Sequence, residues 1–266
     1  MITANLKGGL CNMFFQIAAT YVHAIKHNTT IRYPNMMSHL NYLSTEMTHN
    51  PKLKDANEYL PLFSKLDISQ QPVHRTITIQ PPFHYVEMPF QDGMYIDGFF
   101  QSEKYIMSHR DVVLDILGPT EEIKNYINEK YSDILVGYTL SIHIRRGDYV
   151  KSQDWHTLLG NDYYDKALSK ITNVDKIIVF SDDILWCKEN FKGDNVVYIE
   201  EEKDYIELYL MSMCSNHIIA NSSFSWWGAW LNKNEDKIVI APKKWFGPNF
   251  NHFQTKDIIP EKWITI

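Results

Sequence analysis

Apolar residues in the second half of the chain come in short runs of strand length. These alternate with stretches whose apolar positions recur at helical spacing. Residues 140–144, 176–180, 196–199, 218–220 and 238–241 read as strands. Residues 163–171, 185–191, 204–214 and 224–231 read as helices. In 204–214 the apolar stripe is Ile206, Tyr209, Leu210 and Met213. The first half opens the same way, with a strand over 2–6, a Gly8-Gly9 turn and a helix over 12–26. Phe14, Phe15, Ala18, Ala19, Val22 and Ile25 fall on that helix's apolar positions, and Asn12 is placed to cap it. Strands follow over 29–33 and 95–100, and a helix over 121–131, with Gly118-Pro119 before it. Residues 34–92 are rich in Pro, Asn, His and Met and show no sustained period. Strands alternating with helices predict an α/β protein with parallel sheets. The expected organisation is two Rossmann-like domains, 1–120 and 121–266, with a cleft between them.

Composition narrows the class. With 266 residues and 44% hydrophobic residues, the chain can bury a core without covalent staples. Cys11, Cys187 and Cys214 are scattered, which argues against a disulfide framework or a Cys-type zinc site. A net charge of −6 without a basic run disfavours nucleic acid as a partner. No window approaches the ~20 apolar residues of a membrane-spanning helix, and the N-terminus lacks the pattern of a secretory signal. The expectation is a soluble, cytoplasmic protein.

Two segments carry candidate chemistry. In the strand over Thr139-Leu140-Ser141-Ile142-His143-Ile144-Arg145, side chains alternate faces. Ser141, His143 and Arg145 therefore share one face. Ligands of open α/β sheets bind beyond the carboxyl ends of the strands, and a guanidinium fork suits phosphate oxygens. Gly147 permits a sharp turn there, and Asp148 can bond back to it. Arg146 points the other way and serves structure. The second segment is Ala220-Asn221-Ser222-Ser223-Phe224-Ser225-Trp226-Trp227, a strand end leading through small polar residues into a helix. Free N–H groups at such a helix start form an anion site. Capping by Ser or Asn is compatible with that use. Trp226, Trp227 and Trp230 read as core.

Together, His143-Ile144-Arg145-Arg146-Gly147-Asp148-Tyr149 and Ala220-to-Trp227 resemble the α-1,2-fucosyltransferases of glycosyltransferase family 11. Three further stretches fit that resemblance: Gly8-Gly9-Leu10-Cys11-Asn12-Met13, Gly98-Phe99-Phe100-Gln101 with Tyr105, and Phe180-Ser181-Asp182-Asp183. Cys11 stands where the family has Gly, and Met13 where it has Gln. The resemblance implies a GT-B-type fold, GDP-β-L-fucose as donor, inversion at the anomeric carbon, a glycan acceptor such as a terminal galactose, and no metal. Carried onto this chain, it places Arg145 on the β-phosphate. His143, Asn221, Ser222, Ser223, Phe224 and Ser225 lie beside it, and Asp182 lies near the ribose or base. Gly8, Gly9, Asn12 and Gln101 would border the cleft from the first domain, with residues 34–92 shaping the acceptor side.

Arg145 and the donors near Ser223 would stabilise charge developing on the leaving GDP. Asp148 is the first candidate for the base that deprotonates the acceptor, and His143 the second. Asp148 also reads as a turn residue paired with an arginine. Asp182-Asp183 can hold Mg²⁺ or Mn²⁺ or cap the following helix; the cap is the reading adopted. Two rival functions stand beside the transferase. One is a non-catalytic nucleotide- or glycan-binding protein of the same fold, and the other is a transferase using another nucleotide sugar.

Overall fold

The computed structural model describes residues 1–45, 55–70, 77–79 and 83–266, and the statements that follow concern those residues. They form two units. The first comprises Met1–Gly118 and Phe253–Pro260, and the second Pro119–His252 and Glu261–Ile266. Parts of the poorly periodic stretch 34–92 lie outside the described residues.

The first unit contains β1 (Ile2–Ala4), α1 (Leu10–Lys26), β2 (Ile31–Arg32), α2 (Met36–Thr45), β3 (Ile77–Ile79), β4 (Met94–Ile96) and α3 (Arg110–Leu117). Its described strands pair in parallel in the order β2-β1-β4-β3. Of the apolar positions its spacing predicts, helix α1 buries Phe14, Phe15, Ala18, Ala19 and Val22 together with Met13 and Ile17, whereas Ile25, in the last turn, is 39% exposed. It begins at Leu10 with Gly9 as N-cap, so Asn12 lies inside the helix and does not cap it. Gly8, at φ +76°, adopts the left-handed geometry that reverses the chain into this earlier start. Cys11 and Met13 are buried in α1, so both departures from the family pattern face the core. The segment Phe253–Pro260 is tied in by Asp257. Its carboxylate accepts the Tyr85 N–H at 2.9 Å and pairs with Lys104 Nζ at 2.7 Å.

The second unit contains α4 (Glu121–Leu135), β5 (Thr139–Ile144), α5 (Asn161–Leu168), β6 (Lys176–Ser181), α6 (Ile184–Asn190), β7 (Val196–Tyr198), α7 (Asp204–Ser212), β8 (Asn216–Ile218), α8 (Ser223–Leu231), β9 (Val239–Ala241) and β10 (Ile264–Thr265). Its strands form a parallel sheet in the order β10-β9-β8-β5-β6-β7. Both faces are covered, as all-parallel sheets require. Leu140, Ile142 and Ile144 pack with Tyr164, Ala167 and Cys187 from α5 and α6. On the opposite face, Ser141 Oγ bonds His217 Nδ1 at 2.7 Å, and the other nitrogen of His217 meets Asn232 Nδ2 at 2.8 Å. Trp226 and Trp227 of α8 are fully buried.

The strand order matters for function. From β5 the chain builds outward through β6 and β7, whereas β8, β9 and β10 build outward on the other side. The order therefore reverses between β5 and β8. At such a reversal the loops after neighbouring strands part and leave a crevice beyond the carboxyl ends.

Candidate functional site

Three strand ends meet at this reversal. β5 runs into Arg145, β6 into Asp182 and β8 toward Asn221. The register aligns His143 with Phe180 and Ile144 with Ser181, so Arg145 and Asp182 emerge side by side. The Arg145 guanidinium lies between two carboxylates, 2.9 Å from Asp148 Oδ1 and 3.1 Å from Asp182 Oδ2. The second oxygen of Asp182 accepts the Arg146 N–H at 2.8 Å. A Cβ added at Gly147 would lie 2.6 Å from Asp182 Oδ2, so the turn needs glycine for this carboxylate to approach. Asp182 thus holds both the backbone of the turn and its arginine.

Arg146 turns away from Arg145. Its Nε donates to Asp183 Oδ2 at 3.0 Å, and its guanidinium lies 4.1 Å from the Trp186 ring centroid, an arrangement that cation–π attraction favours. Asp183 also caps α6 by accepting the Trp186 N–H. Both members of the Asp182-Asp183 pair are therefore used by the protein's own groups. Among the described residues no cluster of three or more His, Cys, Asp or Glu is placed to hold a metal.

At the end of β8, the serine segment divides by role. Ser222 is the N-cap of α8, with its Oγ accepting the Phe224 N–H at 3.3 Å. Ser223 and Phe224 start the helix and are half-buried. Ser225 is buried and donates to the Ala220 carbonyl at 3.3 Å. Asn221 is buried as well. Its side-chain amide donates to the carbonyls of Thr157 and Trp245 at 3.0 and 2.7 Å, fastening the loop to two neighbouring segments. The first turn of α8 presents its N–H groups and dipole toward the crevice. The side chains of Asn221 and Ser225 fix the loop from behind.

His143 lies under the site, 5% exposed, with its ring 5.3 Å from Phe224. Burial, with Arg145 adding to it, pushes its pKa down from 6.5 to about 3. It is a neutral imidazole at ordinary pH, and its Nδ1 is buried without a hydrogen-bond partner. Such a group is suited to bonding a ligand. It is a poor proton acceptor, which removes the ground for reading it as a general base.

Two side chains at the site were not singled out from the sequence. The Arg145 guanidinium lies 5.5 Å from the Tyr149 ring centroid. Tyr149 stacks on His156 at 4.2 Å with the rings nearly parallel, and its hydroxyl donates to the Asn221 carbonyl at 3.0 Å. Tyr149 ends the arginine motif, a signal that could have flagged it. His156 sits in a polar loop with no period to mark it.

In the first unit, Asn12 and Gln101 are brought together. Gln101 Nε2 donates to Asn12 Oδ1 at 2.9 Å. Gln101 follows Phe100, whose φ of +53° is unusual for an aromatic residue. The Gly8-Gly9 turn is held by its neighbours. His39 Nε2 lies 2.7 Å from the Gly8 carbonyl, and Gln16 bonds both the N–H and the carbonyl of Lys7 at 2.9 Å.

An arginine and a helix start at the reversal point of a parallel α/β sheet form the kind of arrangement that suits an anionic group. Residues 1–266 match the profile of Glycosyl transferase family 11, and the chain belongs to that family of glycosyltransferases. It is 33% identical to the O-antigen biosynthesis glycosyltransferase WbnK of Escherichia coli, over 98% of this chain and 99% of the relative. It is 32% identical to an alpha-1,2-colitosyltransferase of Escherichia coli, over 100% and 99% of the two chains. Its fold is similar to that of the fucosyltransferase NodZ from Bradyrhizobium, with a TM-score of 0.55 and 12% identity over 86% of this chain and 91% of the other.

Proposed function

We propose that the chain is an inverting fucosyltransferase. It moves L-fucose from GDP-β-L-fucose to a glycan hydroxyl, in an α-1,2 linkage to a terminal galactose, without a metal. The observation that supports this reading is the link between the arginine motif and the start of α8, through Tyr149 to the Asn221 carbonyl and His143 against Phe224, in a chain that matches family 11 throughout. In the proposed GT-B arrangement the second unit binds the GDP-sugar. The first supplies the acceptor side of the cleft through Gly8, Gly9, Asn12 and Gln101.

As the bond between the sugar and the β-phosphate breaks, negative charge grows on the leaving GDP. Arg145 and the N–H of Ser223 at the start of α8 meet that charge, and such contacts strengthen toward the transition state. The unpartnered Nδ1 of His143 bonds the donor from beneath. Asp182 keeps Arg145 at the right height and borders the ribose or base.

The colitosyltransferase relative supports a second reading, transfer of colitose from its nucleotide sugar. A panel of GDP-fucose, GDP-colitose, GDP-mannose and UDP-galactose against a galactoside array separates the readings, and an EDTA arm tests metal independence. Transfer from GDP-fucose that survives EDTA is expected. Transfer from GDP-colitose alone would establish the second reading. Tight GDP binding without transfer would make the chain a binding protein. Arg145→Ala is expected to lower transfer roughly 10²–10³-fold with the thermal midpoint retained. Unchanged transfer would remove Arg145 from this role.

A further inference from the structure

We propose that His156 is the general base that takes the proton of the acceptor hydroxyl, an inference that rests on the glycosyl-transfer reading above. Inverting transfer needs a proton acceptor on the side of the sugar opposite the leaving phosphate. His143 lies beneath the site, 5% exposed, and burial holds its pKa at about 3, too low to take a proton at neutral pH. Asp148 is held by Arg145 at 2.9 Å, and a carboxylate already serving a guanidinium gives up that pairing when it accepts a proton. Among the described residues, the imidazole stacked on the Tyr149 ring beside Arg145 is His156.

The Tyr149 ring joins it to the phosphate arginine. Arg145 lies 5.5 Å and His156 4.2 Å from that ring, which places the imidazole within about 10 Å of the guanidinium. An in-line chain from guanidinium to phosphate, anomeric carbon, acceptor oxygen and base comprises contacts of about 3 Å each, and so has about that reach.

The backbone of His156 is fixed. Its N–H donates to the Ser152 carbonyl at 3.0 Å, and it bridges Phe246. The ring itself is half-buried, and among the described residues neither nitrogen has a hydrogen-bond partner. The neighbouring Trp155 is 47% exposed, so the corner is open to a solute. The charged groups facing the ring are Asp148, which favours the imidazolium, and Arg145, which disfavours it. Burial outweighs both and lowers the pKa from 6.5, so the ring carries a free lone pair at neutral pH.

As the acceptor oxygen bonds to the anomeric carbon, the bond from that carbon to the β-phosphate oxygen breaks. Its electron pair leaves with GDP. The hydroxyl proton passes to one imidazole nitrogen of His156 and then to water.

The test uses the full chain with the donor the panel identifies and an accepted galactoside. It follows His156→Gln and His156→Ala by transfer kcat against pH and by GDP calorimetry. We expect kcat to fall by about 10²-fold or more, with GDP affinity unchanged within twofold, loss of the acidic limb of the profile, and partial rescue of His156→Ala by added imidazole. A kcat within threefold of wild type, or parallel loss of GDP binding, would overturn the proposal. If neither variant folds, the wild-type profile decides: a limb falling below neutrality supports the base, and a flat kcat from pH 5 to 8 overturns it. Wild-type protein that transfers from no donor in the panel defeats the transferase reading itself, which the variants do not affect.

Discussion

Replacing Asp148 with Asn separates two roles that the sequence leaves superimposed. In the turn after β5, two guanidinium groups, Arg145 and Arg146, face three carboxylates, Asp148, Asp182 and Asp183. A diphosphate entering this site meets a surplus of negative charge, and Asp148 is the part of it that pairs with Arg145 from within the turn. Its side chain is 31% exposed, against 14% for Asp182. A phosphate oxygen on Arg145 would lie about 6 Å from that carboxylate. Coulomb's law gives about 3 kcal/mol of repulsion there at an effective dielectric of 20 and under 1 kcal/mol in bulk water. For a partly exposed pair the lower part of that range applies, about 1 kcal/mol. Asp148→Asn keeps the shape and a hydrogen-bond acceptor while removing the charge. GDP should then bind about fivefold more tightly by calorimetry, with the gain shrinking as salt rises. Transfer should stay within tenfold of wild type. The acidic limb of the kcat profile should move to lower pH, because the imidazolium of His156 loses a stabilising charge. Transfer reduced more than 10²-fold with GDP affinity unchanged would refute this reasoning and make Asp148 the base.

Three further outcomes follow from the geometry. Gly147→Ala should weaken GDP binding and slow transfer about tenfold or more, because its Cβ would displace the Asp182 oxygen 2.6 Å away and with it Arg145. Wild-type GDP affinity in that variant would show that Asp182 does not position the arginine. Gly228→Val should lower stability by about 1–3 kcal/mol in denaturant unfolding, since even one Cβ there would lie 2.4 Å from Met211 Sδ in the α7–α8 contact. Burial alone would raise the pKa of Glu202. Hydrogen bonds from Lys130, the Lys203 N–H, Tyr131 and Tyr126 hold it below 4.5 instead. A depressed folded pKa contributes stability above 4.5 that is lost as pH falls through the folded value. Glu202→Gln should therefore flatten the acid end of the stability curve, and an unchanged acid midpoint would discount this cluster.

Much of the second unit was legible because its elements carry strong local patterns. The helix spacing of Ile206, Tyr209 and Leu210 corresponds to α7, and the apolar run before Arg145 to β5. The elements that escaped lack such a pattern. α2 buries only Met36 and Leu40, and β10 is two exposed residues. α3 buries Val113, Ile116 and Leu117 at helical spacing, but over only eight residues. At the site, strand alternation separated Arg145 from Arg146. It could not tell an open face from one roofed by a helix, so His143 read as a reactive group although α8 covers it. The approach of Asp182 to Arg145 depends on the β5–β6 register. The stack of His156 on Tyr149 depends on a loop. Neither arrangement leaves a trace in residue spacing.

The segment Phe253–Pro260, which belongs to the first unit, bears on how the protein is made. Lys104 and the Tyr85 N–H find their partner in Asp257, which the ribosome adds long after Gly118. At ~5–20 residues per second, the first unit waits on the order of ten seconds for its last piece, while the second is synthesised in between. The part of the chain made first is thus completed nearly last. During translation a chaperone would meet an N-terminal unit with an unfilled seat for Asp257, and a fragment ending at Gly118 would keep that seat empty for good.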